Sequence, residues 1–380
     1  MTSIGIKQAK AMLERLQAAD AAAVAAPHIR ELADFYPVRE LPPLDPYANL
    51  PPEVDVRLKT NRPPRGSRAE RDLVEATFAC YREHGFPFHT WTHERLRTNA
   101  AHVRQADVLT GHTLVRSHVG VAVVSAFHTN MWRVKGAGKR SAMEAYEDDD
   151  VFRRAVTSQV RTGSQYLRAA SIRSAIQLRG GCTVVSNFRP AVAKALYEHF
   201  GAELVVDFCA GWGGRLFGAL CSDTAYVGID PHTKAIENNR RFLEQYRVNH
   251  PNQSVSADLV WGCAEDVLGQ RIWRPDLILT SPPYFDTEVY SQEVTQSCIR
   301  YPRLDRWLEG FLQPCIRGSY YDLQRKGHLV LNVNPVMVAD TIRLAVAAGF
   351  SVKAPFEMQM SSKLAKRSFR AEPVLVFQKP

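Results

Sequence analysis

Leu204-Val-Val-Asp-Phe-Cys-Ala-Gly-Trp-Gly-Gly-Arg-Leu216 is an apolar run that ends in a carboxylate, breaks into glycines and resumes as a helical pattern. Glycines at 211, 213 and 214 let the backbone turn sharply at a strand end and approach a ligand with no Cβ in the way. In open α/β sheets, ligands lie beyond the carboxyl ends of the strands, where such a loop sits. A glycine turn alone would also suit a dinucleotide. The leading acid, Asp207, separates the two, because a carboxylate repels a pyrophosphate and suits a cationic ligand.

Around this stretch, from about Asn187 onward, apolar strands alternate with amphipathic helices, the pattern of a parallel α/β sheet. The pattern predicts strands at Glu203–Cys209, Thr224–Asp230, Ala257–Cys263, Asp276–Ser281, Gly327–Asn334, Ser351–Glu357 and Pro373–Gln378. It predicts helices near Pro190–Phe200, Gly213–Cys221, Thr233–Val248, Leu304–Arg325 and Val336–Ala348. The first half has a different texture. A helical pattern over Ile6–Ala26 gives way to a loop dense in proline (Pro37, Pro42, Pro43, Pro46, Pro51, Pro52), then to a basic loop from Asn61 to Arg68. A helix over Glu70–Ala79, a break at Gly85-Phe-Pro-Phe88 and a buried run at Val119–Phe127 follow. The division predicted is a mainly helical domain over 1–165, suited to nucleic-acid contact, and a catalytic α/β domain over 166–380.

The second strand ends in Asp230, nineteen residues past Gly211, where a carboxylate accepts ribose hydroxyls or caps the helix after Pro231. The third is followed by Glu265-Asp266, acids placed to cap the next helix. The fourth runs into Thr280-Ser-Pro-Pro-Tyr284. Two consecutive prolines remove two N–H donors and hold the chain extended, so carbonyl oxygens and the Ser281 hydroxyl face outward as fixed acceptors. An exocyclic amino group needs such acceptors to orient it as its nitrogen attacks. Tyr284 offers a flat face for a base rotated out of its stack.

Ser281-Pro-Pro-Tyr284 resembles motif IV of the DNA amino-methyltransferases, and Asp207–Gly213 resembles their motif I, with Cys209 where an aromatic is common. With Asn187-Phe-Arg-Pro190, these runs look like a phage and bacterial group of DNA methyltransferases. The resemblance covers Asn187–Pro380 strongly and the first half faintly. It implies a class I methyltransferase fold, Rossmann-like, with a seven-stranded sheet whose last strand inserts antiparallel beside the fifth. It implies S-adenosylmethionine as cofactor, held by Asp207, Cys209, Ala210, Gly211, Gly213 and Asp230, with Asp266 or Glu265 at the adenine. Ser281, Pro282, Pro283 and Tyr284 become the target-amino site. Asn187, Arg189, Arg215, Asp286, Glu288, Lys363 and Arg367 become substrate or nucleic-acid contacts. Serine at the head of motif IV favours cytosine N4 over adenine N6. An RNA, nucleoside or protein-amide target would keep every motif, and so would a non-enzymatic nucleic-acid-binding protein with a relict cofactor fold.

Charge agrees with a polyanionic partner. The chain carries a formal +9, and residues 151–200 alone hold eight bases (Arg153, Arg154, Arg161, Arg168, Arg173, Arg179, Arg189, Lys194) against Glu198. Arg154, Arg161 and Arg168 recur every seven residues, which aligns them on one helical face. Residues 251–300 are acidic instead. Seven cysteines form no CxxC pair, which argues against a zinc ribbon or disulfide scaffold and predicts a reducing, cytoplasmic setting. No apolar run approaches a membrane span. Two weaker patterns are read as structural: Gln313-Pro-Cys315, which resembles a Pro-Cys nucleophile but falls within a helix, and His89/His93, which lack a third metal ligand.

Overall fold

A computed structural model describes residues 56–57, 63–136, 138–162, 166–287, 289–360 and 371–380. Glu288, Lys363, Arg367 and the Ile6–Ala26 pattern lie outside the described residues.

Strand β1 (Val56–Arg57) pairs antiparallel with β4 (Tyr166–Leu167), and β2 (Leu109–Thr110) with β3 (Thr113–Leu114). The strands that follow are β5 (Leu204–Asp207), β6 (Ala225–Asp230), β7 (Ala257–Trp261), β8 (Leu277–Thr280), β9 (His328–Asn332), β10 (Ser351–Gln359) and β11 (Ala371–Gln378). Their order is β2-β3-β10-β11-β9-β8-β5-β6-β7. The last seven strands of the chain thus follow the class I methyltransferase order, with β11 antiparallel beside β9, the fifth of them. Two more strands than expected join the sheet, because β3 pairs with β10 and extends it from the first half of the chain. The strand order reverses at β5, which pairs in parallel with both β6 and β8. That switch point brings the glycine turn after β5 and the proline loop after β8 side by side.

In the first half, α1 (Arg68–His84), α2 (His93–Gln105), α3 (Val121–Ser125), α4 (Ala142–Glu147) and α5 (Asp149–Thr162) precede α6 (Ala169–Gly180). Ser67 caps α1 by accepting from the Glu70 N–H, and Gly85 ends it with φ 88°, a conformation that favours glycine. The halves are not separate layers. Leu96, Val103, Leu114, Val124 and Phe127 share one apolar core with Leu216, Phe242, Val330 and Phe356. Helices α4, α5 and α6 form a second core that also buries Trp212 and Ala235.

In the second half, α7 (Pro190–His199), α8 (Gly214–Cys221) and α9 (Thr233–Asn249) pack on one face of the sheet. The predicted helix over Leu304–Arg325 is interrupted by a π-turn at Leu308–Leu312 before it continues as Gln313–Asp322. Pro314 has no N–H to give the preceding turn, and the wider turn absorbs that loss. Among the described residues no helix is long and apolar enough to cross a membrane.

Candidate active site

A cavity of about 720 Å³ opens at the carboxyl ends of the strands, within the size range that encloses small molecules. Cys209, Ala210 and Gly211 line it from β5, Asp230 from β6, and Ser281 to Tyr284 from β8. Asn332, Met358 and Glu372 extend the wall along β9, β10 and β11, and His89, His118 and Trp132 close it from the first half. The glycine turn and the proline loop therefore face one space.

Asp207 fixes their spacing. Its carboxylate is 0% exposed and accepts from Arg215 Nε at 2.7 Å, Tyr226 OH at 2.6 Å and Thr280 Oγ1 at 2.7 Å. One side chain thus ties the ends of β5, β6 and β8 to α8. Asp207 is not part of the cavity wall, and its lone pairs are spent on internal donors. Arg215 does line the cavity. It is buried, its charge answers Asp207, and another of its N–H groups donates to the Cys209 carbonyl.

Gly213 adopts φ +75° and caps α8, with its α-carbon against Asn239 rather than the cavity. At Gly214 a Cβ would lie 1.9 Å from the Phe188 carbonyl, so the chain crossing there admits no side chain. Asn187 lines the cavity and donates to the Trp212 carbonyl at 2.8 Å, holding the turn from outside.

Asp230 receives the Gly211 and His232 N–H groups at 2.8 and 2.9 Å, one on each oxygen. Burial pushes its carboxyl above the ordinary range, partly offset by those two donors. Each oxygen keeps a lone pair for a ligand hydroxyl. Glu265, not Asp266, lines the cavity, and Arg300 ties the two together, donating to both Asp266 oxygens at 2.8 and 3.2 Å and to Glu265 at 2.8 Å. Asp286 is exposed and outside the wall.

The Ser281 hydroxyl donates to Asn332 Oδ1 at 3.4 Å, leaving its own lone pairs as acceptors, and the Tyr284 hydroxyl lies 3.4 Å from Glu372. Cys209 also faces the cavity, but burial pushes its thiol well above the usual range, and the same holds for Cys315 in its helix. Neither supplies a thiolate.

Sequence reading missed the wall built by the first half. His89 Nδ1 accepts from Arg173 at 3.0 Å, so the proton sits on Nε2, and burial with Arg173 holds its pKa down to about 3. It is a fixed neutral donor lining the cavity. Trp212, Tyr290 and His232 add an edge-on aromatic cluster to the same wall. None of these could have been found by spacing, since they converge from distant segments.

Most of the basic window is spent inside the fold. Arg153 pairs with Glu75, Arg161 with Glu70 and Lys194 with Glu198, while Arg173 donates to the Pro87 and Phe88 carbonyls. Arg153 and Arg161 tie α5 to α1, and Arg173 ties α6 to the loop before α2. Among the described residues no group of three acids, histidines or cysteines could hold a metal, and His89 and His93 turn to Arg173 and Asn249.

No family model and no curated protein matches the chain. Solved structures with partial likeness include TrmN from Thermus thermophilus, 17% identical over 50% of this chain and 49% of that one, with a TM-score of 0.36. The T. thermophilus 16S rRNA N2 methyltransferase RsmC, solved with AdoMet and guanosine, is 18% identical over 52% and 44%, with a TM-score of 0.34. Magnesium protoporphyrin IX methyltransferase from Synechocystis, solved with SAM, is 12% identical over 50% and 79%, with a TM-score of 0.35. The matched part spans about half the length of the first of these. The strand order, not these scores, carries the assignment of fold.

Proposed function

We propose that this chain is an S-adenosylmethionine-dependent methyltransferase acting on an exocyclic amino nitrogen of a DNA base, cytosine N4 in preference to adenine N6. The observation that supports it is that the Ser281–Tyr284 loop and the glycine turn at Cys209–Gly211 close on one cavity from neighbouring parallel strands.

The residues present fit the cofactor. Asp230 presents two anchored oxygens with lone pairs to spare, Glu265 stands beside it, and the turn at Gly211 leaves no side chain between backbone and cavity. When bound, the cofactor supplies an electrophilic methyl. The remaining work belongs to the protein. Ser281 and the Pro282 carbonyl orient the amino group and draw charge from it, and Tyr284 offers its ring face to the base. Enclosure excludes water. Orientation of this kind accounts for much of the acceleration in such sites. Transfer is direct, with no covalent enzyme intermediate: Cys315 lies off the cavity wall, and burial disfavours the thiolate of Cys209.

Ser281→Ala and Tyr284→Ala are expected to lose transfer while cofactor affinity, measured by calorimetry, stays within a few-fold. Loss of cofactor binding in both would overturn their roles. Mass spectrometry of nucleosides from DNA and RNA incubated with labelled cofactor identifies the polymer and the base. A methyl found only on RNA or on free nucleosides would replace DNA as the substrate.

A further inference from the structure

Among the bases of residues 151–200, Arg189 is the one that faces the cavity. It precedes α7 as its N-cap, is 6% exposed, and lines the cavity. Nη1 donates to the Gln359 carbonyl at 2.5 Å and Nη2 lies 3.4 Å from Met360 Sδ. An arginine has five N–H donors; these two contacts leave the rest open, and among the described residues no carboxylate pairs with it. Burying a guanidinium without a counter-charge is costly, by several kcal/mol per ion. Arg215, equally buried, has Asp207 at 2.7 Å. Arg189 has no such partner.

The groups around it deepen the imbalance. Arg116 Nε donates to His118 Nε2 at 2.9 Å, which leaves His118 with its proton on Nδ1, at the rim of the same cavity. Burial and the Arg116 charge both work against Arg189, and the Glu372 carboxylate, which also meets the Tyr284 hydroxyl, offsets them only in part and makes no ion pair with it. Gln359 and Met360 belong to the β10 edge, and β11, β9 and β8 separate that edge from the glycine turn in the sheet order. The positive pocket therefore lies on the side of the proline loop, away from Asp230 and Glu265.

We propose that Arg189, His118 and Arg116 form a phosphate subsite that takes a phosphodiester beside the target nucleotide. This rests on the proposed function and deepens it: the substrate is a phosphate-bearing polynucleotide and not a free nucleoside. The phosphate supplies the direct ion pair Arg189 lacks, receives its open N–H groups and the His118 Nδ1–H, and sets the base against Tyr284.

The test uses the full chain with fluorescent DNA and RNA oligonucleotides, and reads anisotropy from 50 to 300 mM salt. Arg189→Gln is expected to weaken binding about tenfold and make the log–log salt slope shallower by about one, the value of one lost phosphate contact. Arg116→Gln, at an exposed position where folding is not at risk, is expected to do the same more weakly. Calorimetry with the cofactor alone separates the rival anion. A tenfold loss of cofactor affinity with oligonucleotide binding intact would assign Arg189 to the cofactor's carboxylate and overturn the subsite. Unchanged binding and slope in both variants would also overturn it. Wild-type protein that binds oligonucleotides but transfers no methyl would refute the proposed function and leave the subsite standing.

Discussion

The two ends of the cavity are built on opposite electrostatic plans. At the β6–β7 end the charges are acidic, Asp230 and Glu265, and each is held by named donors: backbone N–H groups for one, Arg300 for the other. At the β10 end the charge is basic, and among the described residues no carboxylate forms an ion pair with Arg189. Between them Asp207 locks the two central loops through Arg215, Tyr226 and Thr280. The difference teaches that carboxylates here serve two purposes, and that only burial and partners distinguish the one that builds the site from the one that faces a ligand.

The largest expected effects break the lock. Arg215→Met leaves Asp207 buried and unpaired, and should cost about 3–5 kcal/mol of stability in denaturant unfolding. Asp207→Asn should act mainly on stability as well. If Asp207→Asn instead abolished cofactor binding in a protein of normal stability, the distinction between lock and wall would be wrong. Gly214→Ala should destabilise by about 3 kcal/mol, because its Cβ meets a backbone carbonyl that cannot move aside cheaply.

Next comes the acidic end. Asp230→Asn should weaken cofactor binding by about 10- to 100-fold, the scale of losing a hydrogen bond to a charged group. Oligonucleotide affinity, which depends on the other end, should not follow; calorimetry and anisotropy on one preparation sharpen the contrast.

Acid should weaken the wall built by the first half. His89 and the fully buried His128 both have folded pKa values lowered to about 3, chiefly by burial. The unfolded chain binds their protons first, so the stability they contribute is present above about pH 6.5 and is lost as pH falls toward 3. Each contributes a slope of about 1.4 kcal/mol per pH unit at most within that window. His89→Phe should flatten the fall in midpoint between pH 6 and pH 4; an unchanged profile would mean the imidazole is not held neutral.

The smallest effects belong to the arginines that looked most like a nucleic-acid surface. Arg153→Gln should cost about 0.2–1 kcal/mol, as exposed ion pairs do, and leave oligonucleotide affinity unchanged. A large loss of affinity there would extend nucleic-acid contact to α5 and erase the contrast with Arg189.

Where periodicity and punctuation govern, the sequence was readable. The strands from β5 to β11 and the helices α7 to α9 fall within a few residues of expectation, because apolar runs ending in Asp, Ser-Pro-Pro or Asn can hardly be placed otherwise. The π-turn was not legible, since a proline inside a helical pattern tells of a disturbance and not of its form. The site was legible in its loops but not in its roles. Asp207 and Asp230 are both acids at strand ends, and what separates them is that three donors from distant segments reach one and only backbone amides reach the other. The same reason hid Asp266 behind Arg300. It also hid the internal pairing of Arg153 and Arg161, whose acidic partners lie about eighty to ninety residues away.

Two short strands from the first half continue the sheet at its β10 edge, and the helices on either side of them fill the same core as α8 and α9. The two halves are therefore not interchangeable modules. Excising the first half would strip apolar cover from the sheet and remove His89, His118 and Trp132 from the cavity together. Exchanging that half whole would disturb the core along with the cavity, whereas a single rim residue can change without touching either strand or helix packing.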